Sequence, residues 1–128
     1  MSLLPCGRRL FYSEMDKPIF KLNGRIWIET ANGKVLGFGR VELLERIHAL
    51  GSIRQAALQM KMSYKQAWDM INHINENFEE PLVVSQRGGK GGGKAVVTPM
   101  GLKAIEQYHA LHNKFREFLS GSVEDLKL

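Results

Sequence analysis

Two helix-start signals eleven residues apart constrain this 128-residue chain more than any other feature. Gly51 is a natural helix stop after Leu44, Ile47 and Leu50, which recur at three-residue spacing from a helical pattern beginning near Val41. Ser52 caps the next helix, whose Ile53, Ala56, Ala57 and Met60 share one face. Ser63 then caps another, and Gln66 three residues on completes a capping box. In that helix Ala67, Met70, Ile71, Ile74 and Phe78 face inward, while Lys65, Asp69, Asn72 and Glu76 lie opposite. The break between residues 52–60 and 63–78 is too short for a loop, so the two helices must pack on each other across a tight turn. Pro81 ends the helical run.

The flanking segments read as β-rich. Ile19-Phe20-Lys21-Leu22 and Arg25-Ile26-Trp27-Ile28-Glu29 are strand-like, and Asn32-Gly33 suits a tight hairpin before a return strand over residues 34–38. Residues 82–85 and 95–98 form two short strands around the tip Gly88-Gly89-Lys90-Gly91-Gly92-Gly93-Lys94. Thr98-Pro99 opens a last helix, with Thr as cap and Pro in the first turn, that runs to about Leu119 before Ser120-Gly121-Ser122. Residues 1–17 show no period and are expected as a loosely ordered lead. The predicted class is mainly α with small β: an N-terminal hairpin, three helices, a second hairpin and a long C-terminal helix over residues 18–119, then a tail over 120–128.

The 18 Lys and Arg against 13 Asp and Glu give a formal charge of +5, but its distribution is more informative. Residues 52–66 carry Arg54, Lys61 and Lys65 with no acid, and residues 81–102 carry Arg87, Lys90 and Lys94 with no acid. Between them lie Asp69, Glu76, Glu79 and Glu80. Two basic stretches facing one way form the electrostatic footprint of a nucleic-acid binder. Cys6 is the only cysteine, which excludes an intrachain disulfide scaffold. No apolar run approaches the roughly 20 residues of a membrane span, and Arg8 and Arg9 follow the short apolar start in the wrong order for a secretory signal. The expected setting is cytoplasmic, with no membrane partner.

Two short helices across a tight turn, followed by a basic hairpin, constitute a winged helix-turn-helix. In that arrangement the second helix enters the major groove with its N-terminal residues toward base edges. The wing tracks the phosphates, where glycines permit close approach and expose N–H groups. Gly51-Ser52-Ile53-Arg54-Gln55-Ala56-Ala57 and Ser63-Tyr64-Lys65-Gln66-Ala67-Trp68-Asp69 resemble the DNA-binding domain of the molybdate-responsive regulator family ModE. Gly89-Lys90-Gly91-Gly92-Gly93 followed by Ala95-Val96 and Thr98 is similar to that family's wing. Gly-Ser-x-x-x-Ala-Ala and Thr-Pro-x-Gly also resemble LysR-type winged helices. The resemblance covers about residues 20–119 and implies a dimeric, sequence-specific transcription factor. The family's C-terminal molybdate-binding modules have no counterpart among these 128 residues, so no cofactor and no molybdate sensing are expected in this chain. A separate effector-binding partner protein remains open.

The expected DNA contacts are Arg54, Ser63, Tyr64, Lys65, Gln66, Trp68, Arg87, Lys90 and Lys94. Lys65 suits a guanine acceptor or a phosphate. Gln66 suits adenine, or is spent on the capping box. Ser63 caps the helix or donates to a phosphate; Trp68 touches a sugar or thymine methyl, or packs. Asp69, four residues from Lys65, orients that lysine rather than meeting DNA. Arg54 meets a phosphate or is simply a surface charge, and Asn72 and His73 are marginal. Gly88, Gly93 and Lys94 have the spacing of a phosphate-binding GxxxxGK[ST] loop, but Ala95 replaces the magnesium-binding hydroxyl and a strand follows where a helix is needed. No catalytic arrangement stands out, and the chain is read as a non-enzyme. His109 and His112 lack adjacent acidic or cysteine ligands and read as packing or surface residues, with no metal. Leu102, Ile105, Tyr108, Phe115 and Leu119 widen the last helix's apolar face and are the expected homodimer contacts. The leading expectation is a homodimeric regulator of palindromic double-stranded DNA. The alternative is a winged-helix protein-interaction adapter without specific DNA reading.

Overall fold

The structure is a computed structural model that describes residues 18–86 and 93–128. Among these the chain forms β1 (Ile28–Thr30), β2 (Gly33–Leu36), α1 (Phe38–Leu50), α2 (Ile53–Gln59), α3 (Tyr64–Glu76), β3 (Val83–Gln86), β4 (Lys94–Val97) and α4 (Pro99–Ser122), then a 3-10 turn at Val123–Asp125. It is mainly helical, with two separate antiparallel hairpins, β1–β2 and β3–β4.

The helix boundaries follow from local chemistry. Gly51 takes the left-handed conformation, φ 66°, and its N–H closes α1 on the Ile47 carbonyl at 2.7 Å. The Ser52 hydroxyl accepts from the Gln55 N–H and the Ser63 hydroxyl from the Gln66 N–H, as the caps required. Between α2 and α3 the chain reverses through Lys61, the one described non-glycine residue with positive φ, 57°. The Leu58 and Ala57 carbonyls accept from the N–H groups of Lys61 and Met62, which satisfies the end of α2 within this turn. Apolar spacing gave no sign of that strained position.

Three expected boundaries are corrected. Residues 19–22 and 25–27 form no strand, because the return strand stops at Leu36 and Phe38 already belongs to α1. The segment instead lies along α4: the Ile26 carbonyl accepts from the Tyr108 hydroxyl at 3.1 Å, and Gly24 sits against Phe115. The first hairpin turns at Ala31-Asn32, with Thr30 opposite Gly33, so only Gly33 takes positive φ, 102°. Ser120-Gly121-Ser122 does not stop the last helix, because Gly121 stays outside the left-handed region; α4 runs 24 residues, roughly 36 Å at 1.5 Å per residue.

One core joins the elements. Val41, Leu43, Leu44 and Ile47 of α1 meet Ala56 and Ala57 of α2, Ala67, Ile71 and Ile74 of α3, and Leu82, Val83, Ala95 and Val97 around the second hairpin. Val83 pairs with Val97, and Gln86 with Lys94, so alternate residues point inward. The base of that hairpin is fixed at Thr98, whose N–H donates to the Leu82 carbonyl at 2.9 Å and whose hydroxyl donates to Pro81 at 2.7 Å. Gly101, buried three residues on, presses against Leu82 and Val97 at the same hairpin base. A methyl there would overlap the Leu82 carbonyl oxygen and lie 2.6 Å from Val97 Cγ1. That close approach explains the glycine of the Thr-Pro-Met-Gly sequence.

Candidate nucleic-acid interface

Helical spacing divides α3 into an inner stripe, two flanks and an outer face. The inner stripe is Ala67, Ile71 and Ile74, all buried. On one flank lie Tyr64, Trp68 and Asn75; on the other, Met70, His73 and Asn77. Each flank is engaged by a different part of the chain, and the outer face, Lys65, Asp69, Asn72 and Glu76, is left exposed.

Arg54 of α2 stacks its guanidinium over the Tyr64 ring at 4.9 Å, and Tyr64 meets Trp68 edge-on at 6.1 Å. The three form a ladder joining the helices, with Trp68 half-buried against the core and Tyr64 exposed. Further along this flank the Asn75 amide reaches the second hairpin. Its oxygen accepts from the N–H groups of Leu82 at 2.8 Å and Val83 at 3.3 Å, and its nitrogen donates to the Val83 carbonyl at 3.0 Å.

The opposite flank is held by the first hairpin and α1. His73 Nδ1 accepts from the Arg40 guanidinium at 2.8 Å, and its Nε2 donates to the Asn32 carbonyl at 3.1 Å, a tautomer fixed by these partners. Arg40 also donates to the Lys34 and Val35 carbonyls, and partial burial lowers its pKa. The Asn77 side-chain oxygen accepts from Thr30 at 2.8 Å and Asn32 at 3.1 Å.

Charge on the exposed face is uneven. Lys65 and Asp69 pair at 2.9 Å; the hydrogen bond and the carboxylate charge together push the lysine's pKa up. Asp69 therefore holds Lys65, as its four-residue spacing implied. The first turn carries no acid, and its N–H groups add positive potential. Glu76 puts an acid at the far end, so the N-terminal turn is the least acidic part of this face. Ser63 is committed to its cap, while among the described residues the Gln66 amide makes no reciprocal bond to Ser63. That side chain is exposed beside Lys65. Lys94 is exposed at the start of β4, opposite Gln86. Arg87 and Lys90, and the tip over 87–92, lie outside the described residues.

The structure thus places Arg54, Tyr64, Lys65 and Gln66 together at one end of α3. Asn75, Asn77, Arg40 and Asn32, and the anchoring of His73, emerge only from the fold, because their partners are up to 47 residues away in sequence. On α4, His109 pairs with Glu45 at 3.0 Å and His112 stacks on Tyr108 at 5.9 Å. Among the described residues no three potential metal ligands cluster, and no helix is long and apolar enough to cross a membrane. Tyr108, expected at a dimer contact, is 1 % exposed and bonded within its own chain, which removes it from any surface a second copy can reach. Ile105, Phe115 and Leu119 are half-buried and Leu102 is exposed.

No family model matches the chain. The chain is similar to the molybdenum transport protein ModE of Azotobacter vinelandii, 38% identical over 102 residues, which cover 80% of this chain and 38% of that protein. It is 41% identical over 96 residues to the molybdenum-pterin-binding protein MopB of Rhodobacter capsulatus, covering 75% of this chain and 36% of the relative. It is also 47% identical over 72 residues to the DNA-binding transcriptional dual regulator ModE of Escherichia coli, covering 56% and 28%. The chain spans about a third of the length of these curated relatives, and over that part it is related to molybdenum-linked regulators and binding proteins.

Proposed function

We propose that these residues are the winged helix-turn-helix part of a homodimeric transcriptional regulator that reads palindromic double-stranded DNA and carries out no catalysis. In this reading α2 is the positioning helix, α3 the recognition helix and β3–β4 the wing. The observation that carries it is α3 itself: gripped on both flanks, exposed on its outer face, with a first turn that gathers Arg54, Tyr64, Lys65 and Gln66 and no acid. A helix held so is rigid enough to present side chains to base edges, and its acidic far end favours N-terminal-first entry into the groove. Lys65 and Gln66 would read bases, while Arg54 and Lys94 would meet phosphates. The Escherichia coli relative's name describes a DNA-binding transcriptional regulator, and the names of the Azotobacter vinelandii and Rhodobacter capsulatus relatives refer to molybdenum transport and molybdenum-pterin binding.

Selection of bound sequences from random DNA at physiological salt tests the reading. The expected product is a palindrome with half-sites one helical turn apart, about 34 Å. Lys94→Ala should weaken binding to all sequences and lower the salt slope by about 0.9, the loss of one phosphate contact. Enrichment of no sequence would overturn the proposal and leave the adapter role, for which the exposed Val84–Val96 pair offers an apolar contact.

A further inference from the structure

The wing and the recognition helix are separate elements, and nothing in the β3–β4 ladder fixes the angle between them. A hairpin pivots most easily about its base, and Lys94 lies opposite Gln86, three residues beyond Val83 on the partner strand. At roughly 3.3 Å per residue that is a lever of about 10 Å, so a tilt of about 20° would carry Lys94 some 3.5 Å, a full hydrogen-bond length. A phosphate contact from Lys94 therefore requires the base to be held.

Besides the Thr98 bonds that join the base to the start of α4, two attachments hold it against the other helices. On β4 the Ala95 N–H donates to the Gly51 carbonyl at 3.0 Å, which ties the hairpin to the end of α1. On β3 the attachment comes from α3, through Asn75. Its amide makes the three bonds described above to Leu82 and Val83, pairing with β3 much as a short length of strand would. Both ends of the amide are used, and the site is partly buried. No other described side chain of α3 hydrogen-bonds to the wing.

We infer that Asn75 is a positioning residue that locks the angle between the recognition helix and the wing, so that base reading and phosphate binding act as one unit. This rests on the DNA-binding reading above and extends it: Asn75 touches no DNA, yet sets whether Lys94 can do so while Lys65 and Gln66 occupy the groove. An aspartate would keep the acceptor for the two N–H groups but lose the donor to Val83 and oppose a carboxylate to that carbonyl. An alanine loses all three bonds.

The test compares parent, Asn75→Ala and Asn75→Asp, each with and without Lys94→Ala. DNA binding is measured against salt on the sequence selected by the parent, alongside amide hydrogen exchange of the DNA-free proteins. The expected result for Asn75→Ala is a cooperative thermal transition, faster exchange confined to residues 82–86 and 94–97, and a salt slope already lowered by about 0.9. Lys94→Ala should then add little, and the preferred bases should be unchanged. A purely structural role would change melting without removing the response to Lys94→Ala. An Asn75→Ala protein with the parental slope and the full Lys94 effect would overturn the inference. If Asn75→Ala does not fold, Asn75→Asp decides by the same two readouts. If the parent selects no sequence, the DNA-binding reading falls, and unchanged exchange at the wing base would still separately reject the role of Asn75.

Discussion

Tyr108 was legible as an apolar-face residue of the last helix, but not as to what it meets. Core and dimer contacts share the same spacing, and only the fold decides between them. The Ile26 carbonyl, 82 residues earlier, accepts its hydroxyl, and the ring is buried. Burial pushes its phenol up from the ordinary tyrosine value near 10, against a smaller opposing pull from the Arg25 charge. A raised folded value means that the folded state holds this proton more tightly than the unfolded one. The contribution is therefore complete below about pH 10 and is lost as pH rises through the folded value. Tyr108→Phe should cost about 1 kcal/mol at neutral pH, because Ile26 loses its donor. It should also flatten the alkaline fall in stability. Denaturant unfolding at pH 7 and again above pH 10 checks both, and an equal alkaline fall in the two proteins would refute the assignment. The other residue-level readings that held were those set locally, such as Ser52 and Ser63 as caps and the four-residue Lys65–Asp69 pair.

At the scale of elements, the helices were more legible than the strands for a physical reason. A helix satisfies its hydrogen bonds within itself, so caps and apolar spacing fix α2 and α3 from nearby residues. A strand needs a partner, and residues 25–27 have none once Phe38 turns helical, despite the β-rich run Ile26-Trp27-Ile28. The grip on both flanks of α3 was likewise unreadable, since Asn32 and His73 say nothing of each other in sequence. That grip leaves the Lys65–Asp69 pair as the adjustable part of α3's exposed face. The pair is largely exposed and screened by solvent, so breaking it costs little. Asp69→Asn frees the lysine and removes a negative charge from the side that faces the groove in the proposed reading. Binding to the selected site should tighten by up to about fivefold at low salt, with the gain shrinking as salt rises. Fluorescence anisotropy at two salt concentrations checks this; weaker binding would mean that Asp69 itself accepts from a base.

At the scale of the whole molecule, the palindromic site of the proposed function needs two copies, and in that reading the exposed apolar stripe of α4 is the surface that joins them. Its spacing suggested a broad apolar face, and the fold resolves that face into parts. Tyr108 belongs to the core, Phe115 is half-buried with Gly24 against its ring edge, and Leu111 and Phe118 remain outside at 46% and 65% exposure. Leu111, Phe115, Phe118 and Leu119 follow the i, i+4, i+7, i+8 pattern of one continuous stripe on the C-terminal half of the helix. The stripe thus differs from the expected set by gaining Leu111 and Phe118 and losing Leu102, Ile105 and Tyr108. Two such stripes packed about a two-fold axis would bury the large side chains that a lone copy leaves in water. Leu111→Glu with Phe118→Glu places four carboxylates at that seam and should leave the monomer's core untouched. Sedimentation at micromolar concentration should then show monomers, where the parent is dimeric. Affinity for the full palindrome should fall by about 10²–10⁴-fold, toward that for an isolated half-site, because the second half-site no longer benefits from the proximity of the first. A variant that stays dimeric would move the interface off α4, and a monomeric parent would remove the two-fold reading altogether.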